Sequence, residues 1–426
     1  PPRPTLFPYT TLFRSRTGHE ERHTEALAIT QSTIAIDRER CDDLAVAGDL
    51  ANLGVIYKSM GEYSRAIACF EEALSIPALS EDPSTLVYSL QNLANVHRSL
   101  GNLDRALQYL RLGNETSRAH LLSIQRSFHL MAIAHILLQK DQVAESLQTY
   151  DEAIELSRRA HHADGLVQSL RALGEVLFGL GRDAEALPRL KEAAVLFAQL
   201  EDAAGEVEMW TLVASSLERM STPHESAATW EKVRGLRLRL GDARGELDAL
   251  EGIARTTRKT AAAPDAAIPA VETALALAAT LGEKPREAAL RNTLGILEWE
   301  RGRYAQALRH YEMALGLARD LKDRVYEGLI LNSLGVTLTR LNRHEEARTA
   351  LEESVLLNRE TSEQLLEAHA LAALGDVCHA QGRIDAAREC FEQSLALRRI
   401  LADQVGESRL LQRIAETHVS RVPAKE

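Results

Sequence analysis

The chain has 426 residues, 45% of them hydrophobic but only 4% aromatic, and a formal net charge of −11. That acidity disfavours a nucleic-acid footprint over the whole surface, and no apolar run is long enough to span a membrane. The four cysteines, Cys41, Cys69, Cys378 and Cys390, are too few for a disulfide framework and read as reduced thiols. With no secretory segment recognisable, the expected location is cytoplasmic.

Taken in chain order, residues 5–15, TLFPYTTLFRS, match the in-frame translation of a sequencing-library adapter. Residues 1–15 are therefore set aside, and a repeat array is expected over 16–418, with a disordered tail at 419–426. On this reading the natural N-terminus lies upstream, and the first predicted element, a helix at about 21–38, lacks its partner. From there a unit of 40 residues recurs. Its turn positions fall at Glu21, Gly61, Gly101, Asp141, Gly181 and Ser221, then, after one inserted residue, at Ala262, Gly302, Asn342 and Gly382.

Each turn joins two helices. On the first, an aliphatic column runs Leu53, Leu93, Ile133, Leu173, Val213, Ile253, Leu294, Leu334, Leu374 and Ile414. A column of Gly or Ala follows it directly, from Gly54 to Ala415. On the second helix a small column, which includes Ala66, Ala106, Ser146, Ala186 and Ala307, lies four residues before a mostly large one. That large column includes Phe70, Leu110, Tyr150, Leu190, Trp230, Tyr311 and Phe391. Spacings of four place these on one helical face. Small residues let two helix axes approach, and the large ones fill the groove beside the contact. A hairpin of this kind cannot bury its own apolar face, so it stacks on its neighbours.

Start signals support the boundaries. Asp42, Asp82, His162, Asp202, Asp242, Glu283, Asp323, Glu363 and Asp403 share the column before each first helix, where a short polar side chain caps free N–H groups. Pro83 suits a first turn. Thr222-Pro223-His224-Glu225 reads as a capping box. Pro188 and Pro269 share a second-helix column, where a slight kink is expected. Lys259 to Pro264 reads as a lengthened turn.

The strings LGVIYKSMGEYSRAIACFEEAL at 53–74 and LGILEWERGRYAQALRHYEMAL at 294–315 resemble the tetratricopeptide repeat, and the resemblance extends over about 21–417. The 40-residue period is longer than the common 34-residue unit and is similar to the extended-helix variety found in kinesin light chains and many bacterial signalling proteins. The resemblance implies an all-α, right-handed superhelix of nine hairpins with a lone helix at each end. The uncapped terminal helices are expected to exchange early and to favour self-association.

Catalytic constellations are absent from the sequence: there is no Walker loop, dinucleotide turn or nucleophile elbow. No enzyme activity and no cofactor are expected. His19-Glu20-Glu21-Arg22-His23 has the spacing of a zinc-binding helix, but it straddles the predicted turn at Glu21 and lacks a third ligand, so no metal site is assigned. His161-His162 reads as a solvated turn. The acidic pairs Glu71-Glu72 and Glu352-Glu353 read as solvated outer faces.

The resemblance further implies a concave groove lined by the first helix of each hairpin, three before and one, four and five after the Leu-Gly glycine. Carried onto this chain, those columns hold Arg219, Arg255, Arg258, Lys259, Asn292, Trp299, Asn332 and Arg340, with a second strip of Asn95, Arg98, His135 and Arg171. The same columns also carry Gln91, Glu175, Glu218, Glu251, Asp376 and His379. Arg219, Arg255, Arg258 and Lys259 form the densest basic group, which suits an acidic peptide. Asn292 and Asn332 suit peptide backbone, and Trp299 reads equally as an apolar anchor or as packing against the next repeat. The expected function is a scaffold that binds a peptide or protein segment, not nucleic acid or membrane. The alternative is the sensor array of a larger bacterial signalling protein, such as a STAND-type ATPase regulator, a cyclase or a CHAT-domain protein, with its effector upstream.

Overall fold

The structure, a computed structural model, describes residues 19–259 and 264–419. Its elements fall into two compact units, residues 1–212 and 213–426. The first contains α1 (His19–Glu39), α2 (Asp43–Ser59), α3 (Tyr63–Ser75), α4 (Pro83–Ser99), α5 (Leu103–Ala119), α6 (Ser123–Gln139), α7 (Val143–Arg159), α8 (Ala163–Gly179) and α9 (Asp183–Gln199). The division falls inside one continuous helix, α10 (Ala203–Arg219). The second unit continues with α11 (Pro223–Arg239), α12 (Ala243–Arg258), α13 (Ile268–Leu281), α14 (Lys284–Glu300), α15 (Tyr304–Leu321), α16 (Arg324–Arg340), α17 (His344–Glu360), α18 (Gln364–Ala380), α19 (Ile384–Ile400) and α20 (Gln404–Val419). Among the described residues there is no strand, and the helices from α2 to α19 form nine hairpins with α1 and α20 unpaired on either side. The adapter-like residues 1–15 lie outside the described residues.

The columns read from the sequence are the core. In the first unit Leu53, Leu93, Ile133 and Leu173 are buried, as are Phe70, Leu110, Tyr150 and Leu190. In the second, Ile253, Leu294, Leu334 and Leu374 are buried with Trp230, Tyr311, Leu351 and Phe391. The small column explains how close the helices lie. A Cβ added at Gly54 would meet the Phe70 ring at 2.7 Å, and one at Gly375 would meet the Phe391 ring at 2.4 Å. Where the second-helix column carries serine, the hydroxyl is satisfied across the hairpin: Ser146 Oγ donates to the Ala134 carbonyl at 2.7 Å and Ser226 Oγ to Ala214 at 2.9 Å. A buried hydroxyl left without such an acceptor costs about 1–3 kcal/mol.

Most described turns use a residue in the left-handed region; the α3–α4 connection instead runs through a short 3-10 helix, Pro77–Glu81, flanked by Ile76 (φ −79°) and Asp82 (φ −119°). Glycine supplies it at Gly61, Gly101 and Gly181 at no steric cost, but Leu121 (φ 56°), Asp141, His161, Ser221 and Asn342 adopt it too. Leu121 is the poorest fit, with a bulky side chain 87% exposed. Leu121→Gly is therefore expected to raise the stability of the α5–α6 junction by about 0.5–1 kcal/mol. A urea titration showing no upward shift of the midpoint would mean that this turn carries no backbone strain.

The capping column holds for most members. Asp42, Asp82, Asp202, Asp242, Asp323 and Asp403 accept from backbone N–H groups two or three residues on, and His162 Nδ1 accepts from Gly165. Glu283 and Glu363 make no such bond. Three expectations are corrected. Thr222 does not cap α11, because its hydroxyl turns back to donate to the Leu217 carbonyl at 2.9 Å. Pro269 sits in the first turn of α13, where a missing N–H has no helical partner to lose, whereas Pro188 lies inside α9. No turn interrupts His19–His23, which belong to α1. The outer acidic pairs lie on open faces as expected, and three of their carboxylates also make surface ion pairs, Glu72 with Arg38 at 2.5 Å, Glu352 with Arg348 at 2.8 Å and Glu353 with Arg319 at 2.7 Å.

Candidate functional site

The expected binding residues lie on the first helices of their hairpins, in two strips, one in each unit. In the second unit, Arg255, Arg258 and Lys259 emerge exposed from the end of α12, with Arg219 exposed at the end of α10. They are not a bare basic patch. Glu218 on α10 accepts from Arg255 Nε at 2.7 Å and from Lys259 Nζ at 3.1 Å. Arg258 lies 3.9 Å from Glu300. Burial alone would push the Glu218 carboxyl up, but the hydrogen bonds from Arg255 and Lys259 outweigh it and hold the group below the ordinary carboxylate range. The basic group expected from the sequence is thus largely neutralised by carboxylates of neighbouring helices.

The other members of this strip behave differently. Trp299 on α14 is half-buried and packs against the core of the second unit, so the packing reading holds more closely than the exposed anchor. Its ring meets Tyr304 edge-on at 6.1 Å, and the Arg340 guanidinium lies over it at 5.9 Å. Asn292 is buried and Asn332 is half-buried. Asn292 Oδ1, Asn332 Oδ1 and Trp299 Nε1 are shielded from solvent and have no hydrogen-bond partner among the described residues.

In the first unit Arg171 on α8 is committed, with Nε donating to Glu175 at 2.7 Å and Nη2 to Glu208 at 3.1 Å. Asn95 and Arg98 on α4 and His135 on α6 are not so paired: Asn95 is half-buried, the other two exposed. Partial burial, and then the Arg98 charge, hold the His135 imidazole below its ordinary pKa. One residue escaped the sequence reading. Lys58 on α2 stands in the same column as Arg98, four residues after the Leu-Gly glycine, and its Nζ donates to Asn92 Oδ1 at 2.8 Å. Burial pushes its ammonium pKa down. The column rule that selected Arg98 also selects Lys58.

Among the described residues, no group of three His, Cys, Asp or Glu side chains is placed to hold a metal ion, and no helix is long and apolar enough to cross a membrane. Burial raises the thiol pKa of both Cys378 on α18 and Cys390 on α19, the latter to about 11. At neutral pH such thiols carry very little thiolate and are poor nucleophiles.

Comparison with known proteins bears on the whole array. No curated protein sequence matches the chain. Solved structures that resemble it include BtubC (BKLC) from P. vanneervenii, at 16% identity and TM-score 0.47 over 53% of this chain and 93% of that one. They also include aspartyl phosphate phosphatase F from Bacillus subtilis, at 11% identity and TM-score 0.42 over 83% of this chain and 94% of that one. A third is the STAND protein with a tetratricopeptide repeat sensor from Pyrococcus horikoshii, at 13% identity and TM-score 0.42 over 85% of this chain and 52% of that one. Family models described as tetratricopeptide repeats match residues 50–76, 86–120, 126–196, 263–320 and 326–400. With the hairpin columns buried as that repeat requires and its models covering most of the array, the chain belongs to the tetratricopeptide repeat family.

Proposed function

We propose that this interaction scaffold receives a peptide or protein segment on the first-helix face of its second unit, around Asn292, Trp299, Asn332 and Arg340. The observation that carries the reading is the set of unmatched polar atoms there: Asn292 Oδ1, Asn332 Oδ1 and Trp299 Nε1. Buried polar groups in folded proteins are almost always paired, and an orphan costs about 1–3 kcal/mol. A bound polypeptide backbone offers both the donors and the acceptors that would fill them, after a small outward movement of the side chains. Arg340, stacked on Trp299, would meet an acidic side chain of the segment. Arg219, Arg255, Arg258 and Lys259 extend the same strip, with Glu218 and Glu300 as the internal acids that the partner's carboxylates displace.

The test is the double variant Trp299→Ala with Arg340→Ala in the full chain, immobilised beside the parent protein. Capture of the protein's partner is expected to fall at least tenfold while circular dichroism keeps the parent's helical signal, because a cluster of this kind concentrates binding energy in its aromatic and arginine members. Melting should fall somewhat, since Trp299 also packs against the core, and Arg340→Ala alone, at an exposed position, should weaken capture without that loss. Equal recovery of the same partner by both chains would remove the site from this face.

A further inference from the structure

We propose that the first unit binds a free apolar α-amino acid on its second-helix side, in a cavity between α7 and α9. The site shares no residue with the second-unit face and does not depend on it.

The cavity has a volume of about 380 Å³, within the range of small-molecule sites. Its floor is apolar: Ile154 on α7 and Leu170 on α8 are buried, and Pro188 on α9 forms a wall. Pro188 accounts for the opening. One and two repeats earlier its position holds Gln148 and Gln108, long side chains, whereas the proline ring is tied to its own backbone and cannot reach towards α7. Proline also brings no N–H to the Ala184 carbonyl one turn earlier, which leaves an acceptor without its helical donor next to the cavity wall.

The charges at the rim differ in how far they are committed. At one end Arg158 is closed. Its Nη2 donates to both oxygens of Glu192 at 2.7 Å, and its Nη1 donates to Glu155 at 2.9 Å. At the other end Asp151 on α7 and Arg189 on α9 stand 3.5 Å apart, and among the described residues neither has a second ion pair. Glu185, one turn before Arg189, is already taken by Arg182 through two bonds of 2.7 Å. One carboxylate and one guanidinium therefore sit side by side with most of their hydrogen-bonding capacity unused. A partly exposed pair at that separation contributes little stability and exchanges readily for better partners.

Adjacent charges of opposite sign are the complement of a zwitterion. An α-amino acid carries its ammonium and carboxylate on one carbon, so the ammonium donates to Asp151 while the carboxylate accepts from the planar fork of Arg189. Each protein group replaces a long contact with a bond of ordinary length. The ligand side chain then covers Ile154, Leu170 and Pro188, and removing that surface from water adds to the affinity. A polypeptide interior has neither charge, because both groups are tied up in amide bonds. A simple anion or cation satisfies one side only. The neighbouring repeats lack the pair, since the position of Arg189 holds Thr149 before it and Thr229 after it.

Equilibrium dialysis of the full chain against radiolabelled L-leucine, in low salt at pH 7.0, tests the site. One saturable site is expected, with a Kd of about 1 mM or below. Glycine, leucinamide and N-acetylleucine should each compete at least tenfold less well than leucine, since they lack in turn the side chain, the carboxylate and the ammonium. Asp151→Asn, at an exposed position, should weaken leucine about tenfold. Pro188→Gln installs the residue of the two preceding repeats. It should keep or raise the melting temperature, because α9 regains an N–H, and it should abolish leucine binding. Trp299→Ala with Arg340→Ala should leave leucine binding within twofold. Three results would overturn the proposal: no saturable uptake of leucine up to about 20 mM, competition by leucinamide or N-acetylleucine equal to that of leucine, or parent-like binding by Pro188→Gln.

Discussion

Phe391→Ala is expected to destabilise the second unit by about 3–5 kcal/mol, the range for removing a fully buried aromatic ring. The ring is 2% exposed and lies directly over Gly375, in one cluster with Leu374, Cys378, Ala387 and Leu410. Two helices cannot collapse onto the space it leaves, because Ala387 and Gly375 already bring them as close as their backbones permit. In a repeat array each hairpin touches only its neighbours, so the loss should be local. Amide exchange in α18 and α19 should quicken by roughly 10²–10³-fold or more, at about tenfold per 1.4 kcal/mol, while α2 to α9 keep their protection. Arg258→Ala is the control: the side chain is exposed and only 3.9 Å from its acid, so its effect should stay within about 0.5 kcal/mol. Similar losses from both variants, or uniform acceleration along the chain, would contradict the assignment of buried and open faces.

The contrast between those two residues marks what was legible in the sequence. Phe391 and Gly375 belong to columns that repeat at a fixed period, and a column repeated ten times identifies a buried face without any coordinates. The turns were legible for the same reason, even where Asp141, Ser221 or Asn342 stands in for glycine. The charge pattern was harder. Arg255 and Lys259 are 37 and 41 residues from Glu218, and the three meet only because adjacent first helices lie side by side. Counting cations along one helix therefore overstated the basic character of that strip and missed Lys58, whose isolation shows only once Asn92 is seen across from it. The outer pairs have a simpler rule in hindsight. Arg158 to Glu192 and Arg319 to Glu353 are both 34 residues apart, bridging one second helix to the next. That spacing is readable in a sequence once the hairpin period is known. Thr222 failed for a local reason: its hydroxyl had a competing acceptor in the helix it follows.

The first unit is expected to lose stability on mild acidification, with α5 and α6 opening first. His129 on α6 is wholly buried, its Nδ1 set 2.7 Å from the Gln125 carbonyl and its Nε2 without a hydrogen-bond partner among the described residues. It fits there only because Gly113 on α5 leaves room, since a Cβ at that glycine would lie 2.3 Å from Nε2. Burial holds the imidazole below its ordinary pKa, and the Gln125 carbonyl restores only part of the shift. The unfolded chain, with an ordinary pKa near 6.5, then binds more protons than the folded one, so stability must rise with pH across this window and fall as pH drops below about 6.5. The limit for one histidine is about 1.4 kcal/mol per pH unit. His97 on α4 acts in the same direction: it too is buried, stacked on Tyr109 at 5.5 Å, with burial and then Arg105 lowering its pKa against a smaller opposite pull from Glu71. Amide exchange at pH 7.5 and 5.5, corrected for the intrinsic rate, should show α5 and α6 losing about tenfold or more in protection. The next repeat supplies the control, because Ala153 and Ser169 occupy the positions of Gly113 and His129 without a titrating group. Gly113→Ala with His129→Ser should therefore fold and lose His129's share of the acid sensitivity. If that double variant opens as steeply between pH 7.5 and 5.5 as the parent does, the buried imidazole of His129 is not the group responsible.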